Sequence, residues 1–308
     1  MGIEQEIENL HQLNPVHRTI EISTFTAIYI AGALAVYFSA SLNGVAVSAA
    51  VLTGIVMMGV AFNALGILIH EGLHGLLSRH AGLNHIISFF CGLPLGMSAT
   101  AYQVTHNNHH YELGNKPDYG TYKQHFRQPV LVWTAYMLQL LFGTVFYVLL
   151  IPFIAFAAGT PGDRLFIALE YLLIATAFTV IITSLTLQAI QLYWLYPILV
   201  MSVLSNLRGL GSHALGNVEN IYLSSRTIKA SRLTAMLFLN ENYHLEHHLF
   251  PRVPGYNLRK VHLLIWHRLP SALYSNSYPE FLAGFFKAAL KNNLEPLGAI
   301  HRQPVEQA

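Results

Sequence analysis

Charge is what this chain has least of. Lysine, arginine, aspartate and glutamate make up 10% of its 308 residues, and 53% are hydrophobic. An ordinary soluble domain carries about 25% charged residues. The deficit excludes a wholly water-facing protein and makes lipid the expected solvent. The net charge of +2 gives no ground for a nucleic-acid partner. Cys91 is the single cysteine, which excludes an intramolecular disulfide. Aspartate occurs only at Asp118 and Asp163. Residues 1–20 carry Glu4, Glu6 and Glu8 and lack the basic and apolar regions of a signal peptide. Membrane targeting is therefore expected from the first spanning helix. No internal repeat or low-complexity tract is present.

Long apolar runs are there in quantity. A helix needs about 20 apolar residues to cross the hydrocarbon core. Four segments qualify: 22–41, 45–69, 130–158 and 165–187. Two more, 86–102 and 193–207, are short or interrupted by Gly92, Pro94 and Gly96, and by Pro197. Both read as interfacial or re-entrant. Lys and Arg number one in residues 1–21, four in 70–129, one in 159–164 and eleven from 208 onward. Basic loops face the cytoplasm, so both termini are expected there. Residues 1–21 then form a cytosolic segment and 22–207 a membrane domain of four spans and two interfacial segments. Residues 208–308 form a cytosolic cap ending in a loose tail from about Leu297.

Histidine is abundant, with seventeen in the chain. Eight fall into three clusters. The first, His70-Glu71-Gly72-Leu73-His74, ends the second span, and its i and i+4 imidazoles share a helix face. The second, His106-Asn107-Asn108-His109-His110, and the third, His244-Leu245-Glu246-His247-His248, each present three imidazoles at i, i+3 and i+4. Building one site from all three needs an even number of crossings between each pair, which four spans provide. Zinc usually takes four ligands, so eight histidines fit two metals. Imidazole suits zinc, copper, iron or nickel. His213, at the end of the last apolar segment, is a candidate ninth ligand. Glu71, Asp118, Glu241, Glu246, Asn240 and Asn242 flank the clusters and are candidates to orient the ligands. The solitary His80, His85, His125, His262 and His267 read as ordinary interfacial or surface histidines.

The three boxes resemble those of the membrane fatty acid desaturase superfamily. The run from Asn242 through His248 to Pro254 is particularly similar to that family's third box and its flank, and the stretch Tyr193 to His213 resembles its segment bearing an extra histidine. The resemblance implies an all-α integral membrane protein, four transmembrane helices carrying a cytosolic helical cap with a di-iron site. It implies two non-haem iron ions, held by His70, His74, His106, His109, His110, His213, His244, His247 and His248. Dioxygen would be the oxidant, a fatty acyl or lipid-like chain the substrate, and an external ferredoxin, rubredoxin or cytochrome the electron source. No acid or base distinct from the metal ligands is assigned. The third box opens with His244 where front-end desaturases usually carry Gln, and no fused cytochrome-like domain is evident; both argue against that subclass.

Other outcomes remain open on the boxes alone. A hydroxylase or ketolase acting on a lipid, carotenoid or amino-acid-derived substrate would use the same centre. His70-Glu71-x-x-His74 also matches the zinc protease pattern, with Glu71 as general base. A metal transporter ranks last, because polar groups in the spans are few, Glu170 being the main exception.

Overall fold

Five helices of the computed structural model are long and apolar enough to cross a membrane: Pro15–Ser41, Val45–Leu73, Pro129–Ala158, Pro161–Ser184 and Leu187–His213. The structure describes residues 2–112, 122–217 and 219–302. The first three helices contain their expected spans, and Pro161–Ser184 covers the fourth, 165–187, up to Ser184. Asn14 accepts from the His17 amide ahead of Pro15. Thr160 and Asp163 close a reciprocal capping box ahead of Pro161.

The fifth is the segment expected to stay interfacial because of Pro197. It is helical throughout, with a π turn at Gln191–Leu195 followed by Tyr196–His213. The π turn rearranges the backbone hydrogen bonds just where proline brings no donor. This helix is also the least apolar of the five. The segment 86–102 forms the helix Ala81–Gly92, a turn at Leu93–Leu95, and the start of Ala99–Glu112. At 12 residues, or about 18 Å, the first of these helices is too short to cross.

Contacts divide the chain into two units. One holds Leu13–Thr105 and Thr144–Ser205, the other Met1–Gln12, His106–Gly143 and Asn206–Ala308. In the first, helices Pro15–Phe38 and Val45–Leu73 pack so closely that a Cβ on Gly32 would strike the Gly54 carbonyl oxygen. Such small-residue contacts are how helices associate in lipid, where burial from water supplies no drive. Glu170 fastens the segment after Gly96. It accepts from Ser98 Oγ at 2.5 Å, the Thr100 amide at 3.0 Å and Thr100 Oγ1 at 2.9 Å, and lies 2.8 Å from His85 Nε2. Trp194 Nε1 donates to the Pro94 carbonyl at 2.8 Å.

The second unit has a core of Leu245, Val253, Leu258, Val261, Ile265, Leu269 and Ala272. Ile3, Ile7 and Leu10 of the N-terminal helix Ile3–Leu10 pack against it. The helical cap also contains a small sheet of Arg226–Ile228, Ser271–Ser275 and Ala299–His301. Its first pair is parallel, with Thr227 opposite Tyr274, and its second antiparallel, with Ser271 opposite His301. Strands of three to five residues are too short to show a period of two. The expected loose tail therefore contains a paired strand, with Arg302 lying over Trp266.

Candidate metal centre

The histidines of the cap unit come from three short stretches of helix. His106, His109 and His110 lie near the end of Ala99–Glu112, His213 ends Tyr196–His213, and His244, His247 and His248 line His244–Leu249. Leu239 and Asn240, both at positive φ, turn the chain into the last of these. Two groups result. Ligand atoms of His106, His110 and His247 lie within 4.8 Å of one another, and so do those of His109, His213 and His248. His244 joins the second group: its Nε2 is 2.9 Å from His213 Nε2 and 3.2 Å from His248 Nε2.

That closeness has a chemical consequence. His213 Nδ1 sits 3.3 Å from the Ser224 carbonyl oxygen, and His244 Nδ1 sits 3.1 Å from Glu241 Oε2. A carbonyl and a carboxylate only accept, so each Nδ1 carries a proton, and in the neutral form each imidazole presents a bare lone pair at Nε2. Two lone pairs at 2.9 Å cannot bond to each other. A cation bound to both resolves the repulsion, and the spacing fits two imidazoles on one ion with bonds of about 2.0–2.1 Å. His248 Nδ1 is buried without a hydrogen-bond partner among the described residues. Burial, and after it the neighbouring imidazoles led by His244, hold His248 well below the usual histidine range. It is therefore in the neutral form that ligates a metal.

Carboxylates brace this shell. Glu241, buried, also faces Arg208 Nη1 at 3.5 Å. Glu246, wholly buried, accepts from Thr227 Oγ1 at 2.6 Å and lies 2.6 Å from His262 Nδ1. Asn242 donates instead to the Ile228 carbonyl, 2.9 Å away, and so holds the third box to the sheet. Arg226 is fully buried and donates to the carbonyls of Gly211 and Ala214, either side of His213.

The first box belongs to the membrane unit. His70 is buried near the end of Val45–Leu73 and His74 follows as its cap, with ring centroids 5.4 Å apart. The last carbonyls of that helix are taken by Asn84, which bonds Gly72 at 2.6 Å, and Gln103, which bonds Leu73 at 2.8 Å. Glu71 is buried in an ion pair with Arg18, whose other arm bonds Glu21 at 2.7 Å. An apolar cavity of about 460 Å³ opens in the same unit, lined among others by Tyr29, Ala61, Phe62, Leu65, Phe178 and Trp194. Leu65 precedes His70 by five residues, about 7.5 Å along the helix.

Of the nine proposed ligands, seven gather in the cap unit and His70 and His74 pair in the other. Asp118 lies outside the described residues. Three partners were not legible as such. Arg18 is the only Lys or Arg before residue 79, and that isolation beside a span was the available signal. His85 and His262, expected to be ordinary, pair with Glu170 and Glu246. No local pattern marks them.

The gathering also constrains the crossings. Between His110 and His213 lie three long apolar helices. An odd number of full crossings would separate residues whose rings lie within about 5 Å, as His109 and His213 do at 4.9 Å. A single centre built from both groups would need an even number of these three to cross, the parity expected of a four-span domain.

A sequence profile described as "Fatty acid desaturase" matches residues 45–278, well over half of the chain. The Delta(5) fatty acid desaturase fat-4 of Caenorhabditis elegans is 28% identical over 261 residues, covering 70% of this chain. The chain spans 57% of that relative's length.

Proposed function

The chain belongs to the fatty acid desaturase family, and on that premise we propose that it introduces a double bond into the acyl chain of a lipid, using dioxygen and two non-haem irons. The observation that carries the reading is the pair of facing Nε2 atoms on His213 and His244, with an acceptor behind each ring holding a proton on Nδ1. By this reading His109, His213, His244 and His248 hold one iron, and His106, His110 and His247 ligate the other. The box pattern adds His70 and His74 to the ligand set. The irons would supply dioxygen activation and abstraction of hydrogen from an unactivated carbon.

The chain's own residues do the rest. Glu241 and the Ser224 carbonyl keep two imidazoles in the ligating tautomer. The apolar cavity beside Ala61 and Leu65 accepts the methyl end of the acyl chain and keeps water from it. The balance of the reaction requires a partner. Two hydrogens from the chain give two of the four electrons that turn dioxygen into two waters. The other two come singly from an external carrier, with two protons from solvent. The basic loops support a cap and termini on the cytoplasmic side, where such a carrier is available.

The zinc protease pattern fails on one contact. Its general base must face a metal-bound water, and Arg18 holds Glu71 in a buried ion pair instead.

The test is metal content per chain of detergent-purified protein, followed by lipid profiling of an expressing host. About two irons, with loss on His109→Ala, and a new unsaturated product are expected. One zinc retained when His109 and His247 are both replaced would overturn the reading.

A further inference from the structure

Glu246 and His262 begin a continuous path from the third box to the surface of the cap. Glu246 sits between the ligands His244 and His247, and its Oε1 meets His262 Nδ1 at 2.6 Å. The His262 ring lies 4.9 Å from Trp266 at an interplanar angle of 36°, and 5.3 Å from Tyr243. Trp266 in turn lies 5.0 Å from Tyr274, and the Arg302 guanidinium covers its face at 4.2 Å. Trp266, Tyr274 and Arg302 are all partly open to solvent.

The surface over this path is basic. Arg259, Arg268 and Arg302 belong to it, Arg259 and Arg268 exposed and Arg302 half-buried. Arg259, His262 and Trp266 recur at i, i+3 and i+7 along Gly255–Ile265 and the turn after it, so they share one face. The acidic N-terminal helix does not neutralise that face, because its Glu6 lines a groove with Lys260, Leu263 and Leu264 on a different side. Glu280, acting on Tyr274, is the nearby exposed carboxylate.

We propose that the face of Arg259, Trp266, Arg268 and Arg302 docks a small acidic one-electron carrier protein, and that Trp266, His262 and Glu246 conduct its electron to the third histidine box. The proposal rests on the oxygen-activating reading above, since only that chemistry needs two external electrons. In each transfer one electron leaves the reduced carrier, which is oxidised by one, and the metal pair is reduced by one; two transfers complete a turnover. Complementary charge steers such encounters and makes their rate salt-dependent. Stacked rings supply orbital contact where saturated side chains would not.

The experiment uses the full iron-loaded chain in detergent and a reduced acidic [2Fe–2S] ferredoxin as probe, with its reoxidation followed by stopped-flow absorbance. Wild type should react quickly at low salt and slow steeply as salt rises. Arg268→Glu, and Arg259→Glu with Arg268→Glu, should cut the second-order rate by about tenfold or more at low salt. They should converge on wild type at high salt and retain their iron. Trp266→Leu should lower the limiting rate at saturating ferredoxin while the variant retains its iron. Equal rates and salt slopes for wild type and the charge variants would overturn the docking face, and an unchanged limiting rate in Trp266→Leu would overturn the path. A wild-type centre that dithionite reduces and ferredoxin does not would overturn the docking proposal and leave the oxygen-activating reading standing. A centre that dithionite cannot reduce would overturn both.

Discussion

A buried charge is tolerable only in company, and two residues show what that requires here. Arg18 and Glu71 are each 2% exposed, and they pair the start of Pro15–Phe38 with the end of Val45–Leu73, the helix that leads into the first box. Removing one partner strands the other, at a cost of about 3–5 kcal/mol. Arg18→Met should therefore lower the denaturation midpoint in detergent sharply, and adding Glu71→Met should recover most of the loss. A double variant no more stable than Arg18→Met would mean that the pair is not coupled. Glu241 makes a different demand. Glu241→Ala frees the His244 tautomer and should weaken metal binding about 10–100-fold, read by chelator competition. At this scale the clustering of the box histidines was legible, because i, i+3, i+4 spacing converges on one helix face whatever the tertiary fold. Arg18, His85 and His262 were not, because each meets its partner across a long stretch of chain. Glu71 lies 53 residues from Arg18 and Glu170 lies 85 residues from His85 in the sequence.

Helices fail or hold at their ends and at their buried polar groups. The apolar interiors of the spans could be read directly, but their first turns were read as loop, because Arg18, Glu21, Asp163 and Arg164 look like solvent-facing residues. In the fold they serve as caps or ion-paired partners. The three-stranded sheet escaped notice for the opposite reason: its first two strands are buried nearly throughout and alternate nothing, and its third is only three residues long. The Glu170 clamp on the segment after Gly96 gives a pH dependence. The hydrogen bond to Glu170 raises the pKa of His85 above its ordinary value of about 6.5. A raised pKa in the folded state means that this contribution is complete below about 6.5 and is lost as pH rises through the folded value. His85 is partly exposed, so the effect is small. The midpoint should fall gently from pH 6 to 8, and His85→Gln should flatten that slope; a parallel slope in the variant would exclude His85 as its source. The cavity offers a second handle on elements. Ala61 is buried in its wall, so Ala61→Phe should shorten the accepted chain, seen by mass spectrometry as a shift of products toward shorter acyl lengths.

For the whole molecule the decisive quantity is the parity of crossings. Composition by itself admits five spans, and five would place three between the second box and His213. The histidines of the cap unit exclude an odd number, because residues 106–110 and 213–248 meet in one cluster. Long-range geometry thus bears on a question that apolar length leaves open, and the positive-inside rule supplies the expected side. Labelling can check both steps. Cys91 is buried, and burial pushes its thiol up to about 12, so it stays silent toward thiol reagents. Introduced cysteines then report alone. Gln128→Cys and Glu219→Cys flank the three helices and should react from the same side of a sealed membrane, the cytoplasmic one. Asn43→Cys, in the turn before Val45, should react from the other. If Gln128→Cys and Glu219→Cys label from opposite sides, an odd number of helices crosses between them. The two halves of the histidine cluster would then belong to different faces of the bilayer, and no single centre could be built from them.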